Sequence, residues 1–206
     1  MSTDSIAKIV DFWLGASLEN PAAAAARRDW WYRGGPSVDD EIRARFGALV
    51  ARACAGGLTD WRTTSDGALA LILLLDQFTR NLYRHTAQAY AGDALAFDIM
   101  HRAIGLGLDR ALHPVARIWL YHPFHHCERI ERQEEGMALL DGLAATASGG
   151  WRPYIQRSIE GWGRHRDIVA RFGRFPHRNQ VLGRTSTDRE RRFLAGNGES
   201  FGQGPK

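Results

Sequence analysis

The stretch LALILLLDQFTRNLYR, residues 69–84, limits the fold more than any other part of the chain. Its first two helical turns are apolar at every position, which leaves no face for water, so a helix here has to be buried on all sides. Asp76, Gln77, Arg80 and Asn81 then follow directly. At about 100° per residue, Leu69 and Leu73 share a side with Asp76 and Arg80, and Ala70 and Leu74 line up with Gln77 and Asn81. The polar arc therefore continues an apolar arc instead of opposing it. That pattern predicts a central helix with one end opening on an internal polar pocket. Asp76 and Arg80 are four residues apart and so are placed to pair, which matters because a carboxylate or guanidinium left unpaired in a core costs several kcal/mol. Gln77 and Asn81 have the same spacing. The plainer alternative is that the quartet only ties neighbouring helices together.

Elsewhere helical spacing recurs and strand alternation does not. Ile6, Ile9, Val10, Trp13 and Leu14 form one stripe over 4–14. A loop follows, with room for a short helix in AAAAARRDWWYRGGP. Further helices are predicted from Ser37 to a stop at Gly56-Gly57, over the opening stretch, from a cap at Thr86 to the glycines at 105–107, from Pro114, over 124–143, over 153–172 and, behind Thr187, to Leu194. The expectation is an all-α bundle of seven to eight helices, with short loops favouring antiparallel neighbours. It forms a single domain over 1–195, and 196–206 (GNGESFGQGPK from Gly196) is read as a mobile tail.

The 206 residues carry 27 basic and 23 acidic side chains, and Lys8 and Lys206 are the only lysines. Two cysteines without framework spacing suit a reducing cytoplasm. No signal peptide and no membrane-spanning stretch is read from the sequence. Two clusters draw attention. YHPFHHCERIE, 121–131, offers His122, His125, His126, Glu128 and Glu131. Pro123 distorts the His122–His126 turn and no zincin motif is present, so no metal and no cofactor is expected; an acid–base pair of His126 with Glu128 or Glu131, or a hydrogen-bonded core histidine, fits better. GRHRDIVARFGRFPHRNQVLGR, 163–184, holds seven charged or titratable cations beyond an expected Asp167–Arg171 pair. Arginines interleaved with Phe172 and Phe175 suit a planar or anionic ligand; a solvated basic face is the alternative.

These segments, together with DFWLG near the start, resemble the bacterial family catalogued as domain of unknown function 924, over roughly 5–195. The resemblance implies a tetratricopeptide-like helical fold and brings no established activity. The family's Asp-Gln-Phe-Pro-Arg-Asn is matched at Asp76, Gln77, Phe78, Arg80 and Asn81, with Thr79 in place of proline. Its His-Ser-Glu is matched at His126 and Glu128, with Cys127 in place of serine, which removes a serine nucleophile there. Its third motif is matched at His165, Arg166, Phe172, Gly173, Arg174, Phe175, Pro176, Arg178 and Asn179. His122 and His125 stand where the family has Met and a polar or acidic residue, a departure that weakens a metal site built on them.

The expected function is a ligand-binding module. Asp76, Gln77, Arg80, Asn81, His126, Glu128, His165, Arg166, Arg174 and Arg178 would converge on one pocket for an anionic small molecule or a peptide end. The alternatives are a hydrolase or transferase using His126, Glu128 or His165 in that pocket, and a protein-interaction scaffold anchored by Trp30, Trp31 and Tyr32. Nucleic acid is not an expected partner, because the basic run is confined to the C-terminal third and no recognition motif is present. Neither is a membrane, and the sequence leaves the oligomeric state open.

Overall fold

The computed structural model describes residues 2–196, 198, 200 and 201; the expected tail over 196–206 thus lies largely outside the described residues. Regular structure among the described residues is entirely helical. Nine helices of seven or more residues follow in chain order: α1 Ser2–Leu14, α2 Pro21–Arg33, α3 Gly35–Cys54, α4 over 65–82, α5 Asp93–Gly105, α6 Pro114–Leu120, α7 Ile130–Thr146, α8 Trp151–Phe172 and α9 Asp188–Ala195. A short helical turn, His122–His126, follows α6. No described helix is long and apolar enough to cross a membrane. Cys54 and Cys127 are free thiols.

The count exceeds seven to eight because the alanine-rich stretch after Pro21 is a full helix. Asn20 accepts a hydrogen bond from the N–H of Ala23, and Pro21 occupies the first turn, where its missing N–H costs nothing. Side chains of α2 also finish α1. Arg27 and Trp31 donate to the carbonyl of Trp13, and Arg27 donates to that of Phe12, satisfying acceptors that a helix end leaves open. Thr86 precedes only a short 3-10 turn, Ala87–Tyr90. Its hydroxyl donates backwards to Tyr83, and α5 begins only at Asp93. The helix expected over 124–143 is broken at Cys127 and Arg129, both extended, and Gln133 donates to the carbonyls of His125 and Cys127 across the break.

α4 is the centre of the molecule. Residues 67–82 are all buried, with α1, α3, α5 and α6 packed around them. The helix starts as Ser65–Ile72, capped by Thr64, widens into a π-helical segment Leu73–Phe78, and closes as Thr79–Leu82. Such wide turns re-aim side chains and are common at functional sites. Here the hydroxyl of Thr79 donates to the carbonyl of Leu75 at 2.8 Å, and Arg80 donates to that of Asp76 at 2.7 Å, so side chains take up carbonyls along the distorted stretch. Gly92 lies against the same stretch. A Cβ there would sit 2.3 Å from the Leu75 oxygen, so only glycine lets the start of α5 approach closely enough to present Asp93 to α4. A similar contact, Gly136 of α7 on Phe124, holds α7 against the His122–His126 turn; a Cβ would come within 2.5 Å of the Phe124 side chain.

Candidate functional site

A cavity of about 400 Å³ opens at the polar end of α4. It is walled by the C-terminal end of α2 (Trp31, Tyr32), the end of α4 (Gln77, Arg80, Asn81), the His122–His126 turn, the middle of α8 (Ser158, Trp162, His165) and the segment with His177 and Arg178. Each wall follows from local sequence. On α8 the buried positions Tyr154, Ser158, Trp162 and Val169 recur at helical spacing, and His165 falls in that row, so a stripe that is apolar elsewhere turns polar where it meets the cavity. Phe201 lies at the same wall, stacked on the His165 ring at 3.6 Å between centroids.

The floor is a charge network. Asp76, fully buried, accepts hydrogen bonds from Nδ1 of His126 at 2.7 and 3.0 Å and from Gln77 at 2.5 Å, and its Oδ1 lies 3.0 Å from Arg80. Arg80 also grips both oxygens of Asp93, at 2.9 and 3.0 Å. Burial lowers the Arg80 pKa, but Asp76 and Asp93 outweigh it, so the guanidinium is held more firmly charged than usual. Arg178 is different. It is buried between the rings of Phe175 and Tyr90, 4.4 and 4.6 Å away, and its ion pair with Asp93 spans 3.6 Å. Its Nε has no hydrogen-bond partner, and burial pushes its pKa down. Two carboxylates, Asp76 and Asp93, thus face two guanidinia, one saturated and one held largely by stacking.

Burial disfavours the charged form of the five histidines that line the cavity. Burial is the main cause in each case: it pushes His122 down to about 4, His165 and His177 to about 3, and His125 and His126 well below the ordinary value. For His125 and His126 neighbouring cations add to the effect. Because a carboxylate only accepts, the His126 proton sits on Nδ1, and its Nε2 keeps a lone pair. The arrangement can bind an anion at Arg178, and it can take a proton at His126 with Asp76 stabilising the charge that results.

The structure brings together Asp76, Gln77, Arg80, Asn81, His126, His165 and Arg178 around one space. Three other expected residues face elsewhere. Glu128 is bound to Arg184 and accepts from the N–H of Phe175; burial raises its pKa, but these bonds outweigh it and hold the carboxyl below its usual range. Arg174 grips Glu190 at 2.6 and 2.8 Å. Arg166 lies 3.0 Å from Asp167, which takes the place of the expected Asp167–Arg171 pair; Arg171 rests over Phe172 and Phe193. His126 accordingly pairs with Asp76 and not with Glu128. Asn81, with the spacing that matches Gln77, instead donates to Asp39 of α3 at 2.7 Å. Asp93, Tyr90 and Trp162 also belong to the site, and sequence reasoning passed over them. Only one of them had a visible signal: Gly92 before Asp93 marks a close backbone approach.

The chain belongs to the family described as bacterial protein of unknown function, domain of unknown function 924, which it matches over residues 9–198. A solved structure of a protein of unknown function from Agrobacterium tumefaciens is similar, with 37% identity and a TM-score of 0.77 over 94% of this chain and 98% of that one. No curated protein is similar enough to match.

Proposed function

We propose that this member of the family holds an anionic small molecule, or the charged end of a peptide, in the cavity beside α4. The observation that carries the reading is Arg178. A buried guanidinium with an unbonded Nε and a loose ion pair is an under-satisfied cation, and such groups are costly unless a partner completes them. A carboxylate or phosphate oxygen entering the cavity would meet Arg178 from the side that Asp93 leaves open. Trp31, Tyr32 and Trp162 would flank an apolar or planar body, while Arg28 and Arg33 at the rim would raise the local anion concentration. The tetratricopeptide-like stacking implied by the resemblance, with antiparallel neighbours, would place this pocket on an inner surface.

A second reading rests on a specific contact. The His126–Asp76 hydrogen bond beside the cavity is the pairing that a general base requires, so a hydrolase or transferase acting on the same anion is the alternative.

Thermal-shift measurements against a panel of anionic metabolites test the first reading. Any anion that stabilises the parent should lose its effect in Arg178→Met and keep it in Arg174→Ala, which lies outside the cavity. Equal shifts in parent and Arg178→Met would refute the assignment.

A further inference from the structure

Three imidazoles meet on one side of the cavity. His125 and His126 lie with ring centroids 4.1 Å apart, and His165, from α8, lies 4.5 Å from His125. One ring nitrogen of each falls within 4.8 Å of those of the other two. Their outer hydrogen bonds decide which nitrogens carry the protons. Nδ1 of His126 donates to Asp76, and Nδ1 of His165 donates to the carbonyl of Gly161 at 3.3 Å, because both partners can only accept. Both rings therefore keep Nε2 as a lone-pair donor. His125 is 5% exposed, stacks on Trp162, and its Nδ1 has no hydrogen-bond partner at all. Lone pairs gathered in this way repel one another unless a Lewis acid or a proton lies between them, and burial opposes the proton.

We propose that His125, His126 and His165 form the three-nitrogen face of a tetrahedral site for zinc or a zinc-like divalent transition metal, with the fourth position turned into the cavity. A carboxylate or backbone carbonyl holding the far nitrogen of a metal-binding imidazole is the usual means of fixing its tautomer and orientation, and two of the three rings have it. An all-imidazole set suits zinc, nickel or copper and not magnesium or calcium, which take oxygen. Bonds of about 2.0–2.1 Å in a tetrahedron put the nitrogens roughly 3.3 Å apart, so ring movements of about 1 Å complete the site. The expectation of no metal rested on the distorted His122–His126 turn and the missing zincin motif, and neither bears on His165. His122 is instead turned to the carbonyl of Ile118 and stacked on Trp119, and Glu128 is committed to Arg184. Electrostatics then links the metal to the anion pocket. Asp76 and Asp93 are already balanced by Arg80 and Arg178, and three neutral imidazoles bring no charge. The metal's two positive charges therefore favour a hydroxide or the bound anion as fourth ligand. In this respect the inference deepens the anion-pocket reading, although the three imidazoles need no anion to take the metal.

The test uses the full chain stripped with a chelator and then titrated with zinc by calorimetry and with cobalt(II) by visible absorption. One equivalent should bind, cobalt should give the intense bands of tetrahedral coordination, and zinc should displace it. His125→Asn and His165→Gln should each weaken binding at least about 100-fold, beyond the 10- to 100-fold that loss of an outer hydrogen bond costs. His101→Asn, on the exposed side of α5 and outside the cavity, should bind like the parent. X-ray absorption of the zinc-bound parent, which needs no variant to fold, should show three imidazole nitrogens. Octahedral cobalt, fewer than three imidazoles, or binding that survives both substitutions overturns the proposal. An anion that stabilises the stripped protein through Arg178 would leave the pocket reading standing while the metal fails; tight metal binding without any Arg178-dependent anion effect would do the reverse.

Discussion

Two clusters of arginine and carboxylate lie close together in this molecule, and they are built to different ends. At the C-terminal side, Arg174 grips Glu190 and Arg184 grips Glu128, each guanidinium bonding to both oxygens of its carboxylate. These pairs stitch the 173–190 segment to the start of α9 and to the chain between His126 and α7, and none lines the cavity. At the end of α4, Arg80 is saturated in the same manner by Asp76 and Asp93, but Arg178 is gripped by rings and leaves Nε unbonded beside open space. The same residue types thus serve as fasteners in one place and as a receptor in the other. What separates them is burial and pairing: Arg174 and Arg184 are partly exposed and each holds a carboxylate by two hydrogen bonds, whereas Arg178 is buried with only a 3.6 Å ion pair, although Arg184 too leaves its Nε unbonded.

The largest effect should come from the fastening side. Glu190 is 2% exposed, accepts from Arg174 and from the N–H of Thr187, and is held at about 2 by those bonds. Glu190→Ala should lower unfolding free energy by about 2–3 kcal/mol, measured by urea denaturation, and leave any anion response of the cavity intact. Loss of that response would mean the two clusters are one unit.

Acid should separate the two regions next. His177 is neutral in the fold, at about 3 against 6.5 for a free side chain, so its contribution is complete above pH 6.5 and is lost as pH falls towards 3. Glu190 has a depressed pKa, so its contribution is lost only below about 4.5, its ordinary value. Unfolding free energy should therefore begin to fall near pH 6.5 on the cavity side and steepen below about 4.5 as the fastening side protonates. His177→Asn should flatten the first part by no more than about 1.4 kcal/mol per pH unit. A curve flat down to pH 4.5 would contradict the burial of these imidazoles.

The smallest effect should be Arg178→Met measured without ligand. Asp93 keeps Arg80, the thioether can fill the slot between Tyr90 and Phe175, and an under-paired buried cation is removed. The cost should be below about 1 kcal/mol, and a gain is allowed. A loss as large as that of Glu190→Ala would place Arg178 among the fasteners.

Much of this contrast could not be read from sequence, for identifiable reasons. The burial of α4 and the polar turn at its end were legible, because a helix apolar on every face has only one place to go. The direct approach of Asp76 to Arg80 was legible for the same geometric reason. The partner of His126 was not. Glu128 is two residues away and Asp76 fifty, yet an extended break at Cys127 turns Glu128 towards Arg184. Asp93 carried only the indirect signal of Gly92, because an acid at a helix start is ordinary, and Arg174 and Arg178 look alike in a basic run although one reaches Glu190 and the other the cavity. α2 was legible only as a loop with room for a short helix, because Gly-Gly-Pro and a polyalanine tract carry no apolar period; its full helix is fixed by a cap and by side chains that finish α1.

The wide turn in α4 has a further consequence for how this chain can vary. Removing one residue from Leu73–Phe78 would let the segment revert to ordinary α-helix with its backbone bonds intact, and because a wide turn holds one residue more than an α turn, the helix beyond it would keep nearly its present bearing. Arg80 would stay near Asp93 and Asn81 near Asp39, while Asp76 and Gln77, inside the widened stretch, would lose their present aim. The stretch should therefore accept the loss of one residue more readily than the insertion of another, and a one-residue deletion there is a means of re-aiming Asp76 while sparing the core.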